Sequence, residues 1–471
     1  MIGGMMAFTR RDAWAISANK TWPDELFWYA KGIQAMQARP LSDSTSWQYQ
    51  SAVHGLANTP PPPGAPWNEC QHASWYFAPW HRMYLHHFEE IVRAAIVAQG
   101  GPGDWALPYW NYERSAQALV IPPAFLEKKL PAPDGSANPL LVQKRRPDVN
   151  SGQPMLPEFA SSADAMDDDH FITPAGGALG GFGGPQTGFH HGFDGFKGDL
   201  EKQPHDIIHG WVGGLMNNPD TAALDPIFWL HHANIDRLWE AWRIQTDANP
   251  TDKSWLSKKF KLRDKSGAPV TMVVSGVVEA TQLGYTYDKL PAVPAVAAVA
   301  ARRKEPVPMP SKIETIAQKS EPLEVGRAGA SADLAVGALP PVRAGAVAGQ
   351  EPRFFLRLAD ITGEKNPDVI YGVYVNLPAN ADDAALKNHR VGLVSFFGIE
   401  HSTKQGSKDP KPLSYSFDVT DVVSQLAAGG ELQQLRVSLL PMGGTDAPTS
   451  PAAVAAPPIN IGTVAFSMAH D

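Results

Sequence analysis

Pro204-His205-Asp206-Ile207-Ile208-His209, followed by Asp225-Pro226-Ile227-Phe228-Trp229-Leu230-His231-His232-Ala233-Asn234-Ile235-Asp236-Arg237-Leu238-Trp239, decides how this chain is read. His205 and His209 stand four residues apart, so on a helix both imidazoles leave the same face. The reading places that helix from Lys202 to about Met216. A second helix starts at Asp225-Pro226, a capping side chain ahead of a proline at the first position. It carries His231 and His232 among Phe228, Trp229, Leu230, Ile235 and Leu238. Neighbouring residues diverge by about 100° on a helix. Only one of His231 and His232 can therefore join His205 and His209. Imidazole is the commonest metal ligand.

A second histidine-bearing stretch lies upstream: Cys70-Gln71-His72, then Phe77-Ala78-Pro79-Trp80-His81-Arg82. Apolar residues at 80, 84, 88, 91, 92 and 95, and a stop at Gly100-Gly101, predict a buried helix from Trp80 to Ala98 with His81 in its first turn. His72 sits on the loop before it. His54 closes an earlier helix, about Asp43 to His54, that stops at Gly55. A single histidine on an apolar helix is most often a satisfied core residue, and a lone HxxxH is a weak signal. A zinc peptidase would carry Glu directly after the first histidine of the pair; Asp206 stands there instead. His86, His87, His170, His190, His191, His389, His401 and His470 fill no motif position and read as ordinary surface or supporting residues.

Taken together and in this order, the two stretches resemble the type 3 (dinuclear) copper family: tyrosinases, catechol oxidases, polyphenol oxidases and molluscan-type haemocyanins. The resemblance implies two copper ions, one held by His54, His72 and His81, the other by His205, His209 and His232, with His231 close beside them. Imidazoles without thiolate suit copper but do not exclude zinc by chemistry alone; the resemblance decides for copper. It implies a mainly α catalytic domain, a four-helix bundle around the dicopper site. The implied reaction uses O2 to hydroxylate a monophenol ortho to its hydroxyl, to oxidise an o-diphenol to an o-quinone, or both. The alternative from another class is a haemocyanin-like reversible oxygen carrier; such carriers repeat their units in long chains, whereas this chain has one.

Further roles rest on the same resemblance. Cys70, the only cysteine, matches a position where relatives form a thioether to the loop histidine, here His72. Glu201 matches a residue that holds a water and helps deprotonate an incoming phenol. Asp206 stands where relatives that hydroxylate monophenols often carry Asn; it is a candidate base or a charge at a helix N-terminus. Phe228 resembles an aromatic beneath the copper pair. Arg82, flanked by apolar residues, is expected to pair with Asp225 or Asp236, orienting the ligands from behind.

The remaining features bound the reading. The chain has 471 residues and net charge −8, which argues against nucleic acid or an anionic membrane as a partner. No apolar run reaches a membrane span. Thr9-Arg10-Arg11 lacks an apolar signal core behind it and is expected to open a first helix capped by Thr9, so a cytoplasmic protein is expected, with oligomers open. One cysteine permits no internal disulfide. Residues 1–290 hold all the tryptophans and read as the catalytic domain, with long Gly- and Pro-rich loops over about 115–200, including Gly176–Gly184. Residues 291–350, rich in Ala, Pro and Val, are expected to be a linker with some extended structure. Residues 351–471 carry β-rich runs such as Val369–Leu377, Arg390–Phe397, Leu413–Val419, Leu435–Leu440 and Ile461–Ser467. They predict a C-terminal all-β sandwich. It resembles the domain that in polyphenol oxidases and haemocyanins can cover the copper site.

Overall fold

Helix Pro226–Thr246 is the pivot of the N-terminal half. Asp225 caps it through the Ile227 N–H, Pro226 occupies its first turn, and every residue from Pro226 to Trp242 is buried. A helix apolar or internally paired all round belongs at a core centre. Helix Phe77–Val97 packs against it and in turn against helix Asp24–Gln37, which buries Leu26, Tyr29, Ile33 and Met36 on one stripe. Gly32 makes that approach possible: a Cβ there would lie 2.9 Å from Val92. The computed structural model describes residues 8–173, 181–192, 195–291, 312–337, 352–402, 412–428, 432–443 and 458–470. Part of the expected Gly-rich loop (174–180) and much of the expected linker (292–311 and 338–351) lie outside the described residues.

Several expectations change. Residues Phe8–Arg10 form a strand pairing in parallel with Tyr285–Tyr287, and Asp12, not Thr9, caps the short helix that follows. The helix expected over Asp43–His54 runs Trp47–His54 with Ser46 as its cap. The stretch expected as one helix from Lys202 to Met216 is broken. Gln203 is extended (φ −153°, ψ 126°), and the regular part is Ile207–Val212. Pro204 is the cause, because its ring drives the preceding residue out of the helical region.

The C-terminal half holds two sheets. Strands Ala330–Ala335, Gln434–Pro441, Tyr371–Val375 and Arg390–Val394 form one, in that order. The other runs Gly195–Phe196, Leu413–Asp418, Arg353–Thr362, Ile459–His470 and Lys312–Lys319, with Leu323–Val325 also on Ile459–His470. Two expectations are thereby corrected. Residues 312–335, assigned to a linker, are strands of these sheets. The region is not all β, since helices Asp383–His389 and Thr420–Ala428 lie within it. One buried apolar cluster runs through both halves. Strand Gly195–Phe196 belongs to the N-terminal half yet pairs with Leu413–Ser414, so the two halves share a sheet edge. Among the described residues no helix is long and apolar enough to cross a membrane.

Candidate metal centre

Each imidazole of the centre is placed by its own backbone. Helix Trp47–His54 ends at His54 because Gly55 follows in an extended conformation, packed so closely on Pro219 that a Cβ would lie 2.7 Å from its carbonyl oxygen. That carbonyl receives His54 Nδ1–H at 2.9 Å. His81 Nδ1 donates to Phe77 O at 2.8 Å, and His209 Nδ1 to Met216 O at 2.6 Å. A carbonyl only accepts, so each ring is fixed with its proton on Nδ1 and its lone pair on Nε2. Asp206 does the same for His205, at 2.9 Å from Nδ1. The Nε2 atoms of His54, His81 and His205 are buried and make no hydrogen bond among the described residues. That is the signature of rings held ready for a metal.

The rings form two groups. His54, His72 and His81 bring ligand atoms within 4.8 Å of one another, and so do His205, His209, His231 and His232. The groups face each other: His81 stacks on His232 at 4.6 Å between centroids, and His72 lies 5.5 Å from His205. Within the second group, His232 Nε2 is 3.3 Å from His209 Nε2, both rings converging on one point. His231 lies in the same group, its ring 5.1 Å from His209 and 5.5 Å from His205, with Tyr112 at 6.0 Å. All seven rings are at most 2% exposed. Burial lowers every one of their pKa values, those of His54 and His231 to about 3. They are therefore neutral donors at ordinary pH. Phe228 lies between the groups, 4.0 Å from His232 and 5.0 Å from His54. Buried neutral imidazoles with no carboxylate among them fit copper.

The supporting residues divide in ways the sequence left open. Arg82 pairs with Asp236 at 2.5 Å and Glu240 at 3.0 Å, not with Asp225. Asp236 also receives Arg10 and the hydroxyls of Tyr285 and Tyr287. Asp225 is held instead by Arg145 at 2.7 Å. Glu201 accepts the Ala73 N–H at 2.9 Å, fixing the loop just after His72. Asp206 gives one oxygen to His205 and the other to Lys197 at 2.6 Å. Both carboxylate oxygens of Asp206 are thereby engaged. Burial raises Glu201 to about 8 and Asp206 to about 6, Lys197 opposing both. Cys70 is buried, its Sγ 3.4 Å from His191 Nδ1, while His190 donates from Nδ1 to His72 O at 2.7 Å. His190 and His191, which fill no motif position, thus brace the His72 loop.

One residue had no sequence signal at all. Phe397, in the C-terminal half, is fully buried and stacks on His209 at 4.3 Å, with His205 at 5.6 Å and His72 at 6.1 Å. Left-handed Phe396 (φ 55°) and Gly398 (φ 85°) make the turn that projects it. Lys197 donates to Phe397 O, and Ser395 donates to the Asp206 carbonyl at 2.9 Å. Gly210 admits this contact; a Cβ there would lie 2.8 Å from Ser395.

Comparison with known proteins agrees with this geometry. The family model for the common central domain of tyrosinase matches residues 44–245, and that for the polyphenol oxidase middle domain matches 249–298. A domain of unknown function matches 312–464. The chain is 36% identical to the tyrosinase HcTyr1 of Hahella sp. (strain CCB-MM4), over 94% of this chain and 96% of that protein. It is 26% identical to the chloroplastic (+)-larreatricin hydroxylase of Larrea tridentata, over 88% of this chain and 73% of that one. In fold it is similar to latent apple tyrosinase (TM-score 0.64, 22% identity), covering 98% of this chain and 97% of that one. It is likewise similar to latent aurone synthase, a polyphenol oxidase (TM-score 0.67, 19% identity, 99% and 90% covered).

Proposed function

The chain belongs to the tyrosinase family, and from that premise we propose how its residues divide the work. It is a copper-dependent oxidase of phenols that uses O2, with two copper ions at the histidine centre. When bound, the copper pair supplies the oxidising equivalents drawn from O2. Our assignment gives one ion His54, His72 and His81 and the other His205, His209 and His232; His231 stays beside them without binding. The observation that carries it is the set of Nδ1 protons tied back to carbonyls and to Asp206, which leaves Nε2 lone pairs converging from both sides. The four histidine-bearing helical segments are read as the bundle around the centre, and the two C-terminal sheets as a sandwich.

The phenol is proposed to enter beside His209, on the side Phe397 now fills, with Phe228 walling off the opposite side. Phe397 is accordingly read as a cover that must move before substrate binds. Glu201, through an intervening water, takes the phenolic proton of a monophenol, while Asp206 and Lys197 keep His205 aligned. A catechol loses its protons more readily and depends less on Glu201. Nothing in the geometry favours the oxygen-carrier reading.

The test is direct. Protein loaded with copper should hold two ions and consume O2 with a catechol, and with a monophenol after a lag or more slowly. Two coppers without O2 uptake on either phenol, before or after removal of the C-terminal half, would refute the assignment.

A further inference from the structure

Helix Phe77–Val97 carries a second group of ligand side chains, away from the copper centre. His86, His87 and Glu90 bring one ligand atom each within 4.8 Å of one another. At about 100° and 1.5 Å per residue they lie on the face opposite His81 and roughly 8–14 Å along the axis from it. Glu90 Oε2 is 3.3 Å from His87 Nδ1 and 3.5 Å from His86 Nε2. Three donors bound at roughly 2.0–2.1 Å to one tetrahedral ion stand about 3.3–3.4 Å apart. The side chains are spaced as ligands would be.

His87 supplies the second observation. Its side chain is 7% exposed, and its Nε2 lies 3.0 Å from Met272 Sδ. A thioether sulfur only accepts, so Nε2 carries the proton and Nδ1 the lone pair. That buried Nδ1 faces the Glu90 carboxylate at 3.3 Å and has no other hydrogen-bond partner among the described residues. Two acceptors at this distance repel unless a cation lies between them. His86 is kept neutral, burial lowering its pKa to about 4. His86 and Glu90 are 20% and 28% exposed, so an ion can enter from solvent.

We propose that His86, His87 and Glu90 bind one divalent transition-metal ion of the zinc class, separate from the copper pair, with its fourth position open to water. The mixed nitrogen and carboxylate set differs from the all-imidazole copper groups and is familiar for zinc. Such an ion clamps one turn of helix Phe77–Val97, which also carries the His81 ligand. Through the His87–Met272 contact it also steadies the hairpin of strands Lys259–Arg263 and Pro269–Val273.

The experiment uses full-length, copper-loaded protein dialysed against ZnCl2, with zinc and copper counted together. One zinc per chain should bind without loss of copper, and zinc-edge anomalous scattering should place it at His86, His87 and Glu90. His86→Gln and Glu90→Gln, both at partly exposed positions, should each weaken zinc binding by at least about 100-fold and leave the copper count unchanged. Zinc that enters only as copper leaves, zinc retained equally by both variants, or no zinc bound at millimolar ZnCl2 would each overturn the proposal. The last result would mean that a proton alone bridges His87 and Glu90.

Discussion

The two groups of histidines are built differently. The first is assembled from three unlike places: the end of helix Trp47–His54, the loop at His72 and the first turn of helix Phe77–Val97. Its loop member is held from outside, by Glu201 on the Ala73 N–H and by His190 on the His72 carbonyl. The second comes from two segments close in sequence, and its own neighbour Asp206 aligns it. It alone has Phe397 stacked on a ring. On the proposed reading, the difference separates holding a metal from admitting a substrate. The first group is braced from outside, and the second is the one on which Phe397 stacks, the proposed point of access.

The largest effects should come from the ligands themselves. His54→Ala and His209→Ala should each remove one copper and bring O2 consumption with catechol to background, because the proposed assignment gives each ion three imidazoles. Metal analysis beside activity checks this. If either change released both ions, the two groups would be one cooperative site, and the comparison would fail.

Next in size is the cover. Burying a phenyl ring stabilises by about 2 kcal/mol, roughly 30-fold in an opening equilibrium. Phe397→Ala in the full-length chain should therefore raise catechol turnover by roughly that factor, with copper content unchanged. A rate equal to the parent's would show that Phe397 does not limit access. His54 gives no such handle, since no C-terminal ring stacks on it among the described contacts.

How much of this was legible follows from the kind of signal. His205 and His209 announce themselves by spacing, and helix Pro226–Thr246 by its cap. The resemblance was needed for His72, whose place depends on a loop that Glu201, nearly 130 residues away, pins down. Phe397 was illegible because its role comes from a turn with left-handed Phe396 and Gly398, set against Gly210 across the domain boundary. Strand Ala330–Ala335 hid because its inward residues include Ala332, too small to mark an alternation, and Lys312–Lys319 because most of its described side chains face outward. Lys197 and Arg145 were missed because buried cations carry no local pattern; only Asp206 and Asp225 show why they are inside.

A smaller effect separates Glu201 from Asp206. Glu201→Gln keeps an acceptor for the Ala73 N–H but removes the base, so monophenol turnover should fall by roughly 10²-fold or more while catechol turnover falls less. Asp206→Asn keeps an acceptor for His205 Nδ1 and leaves Lys197 only the more distant Glu201 carboxylate, at 4.0 Å. It should loosen copper at the second group by about 10–100-fold and lower both activities together. The ratio of monophenol to catechol rates is the readout. A selective monophenol loss in Asp206→Asn, with copper retained, would transfer the proton to Asp206.

The smallest effect concerns Cys70, which sits beside the first group only. Its thiol is buried, and burial pushes it well above the ordinary thiol range, so it is a poor nucleophile left to itself. Linkage to the His72 ring needs an oxidant: one hydrogen leaves sulfur and one leaves a ring carbon, two electrons in all, which O2 at the copper pair can take. Copper-loaded, turned-over protein should therefore weigh two hydrogens less than the metal-free chain. It should resist alkylation after unfolding and release the Cys70 and His72 segments as one species. Cys70→Ala should lose about 1 kcal/mol of packing and bind copper at the first group about tenfold less tightly, because the loop ligand loses a brace. Copper at His205, His209 and His232 should be untouched, which separates a local tether from general loosening. A Cys70 thiol that alkylates fully in active protein would instead leave the Sγ beside His191 as an ordinary buried contact. The brace on His72 would then be Glu201 and His190 alone.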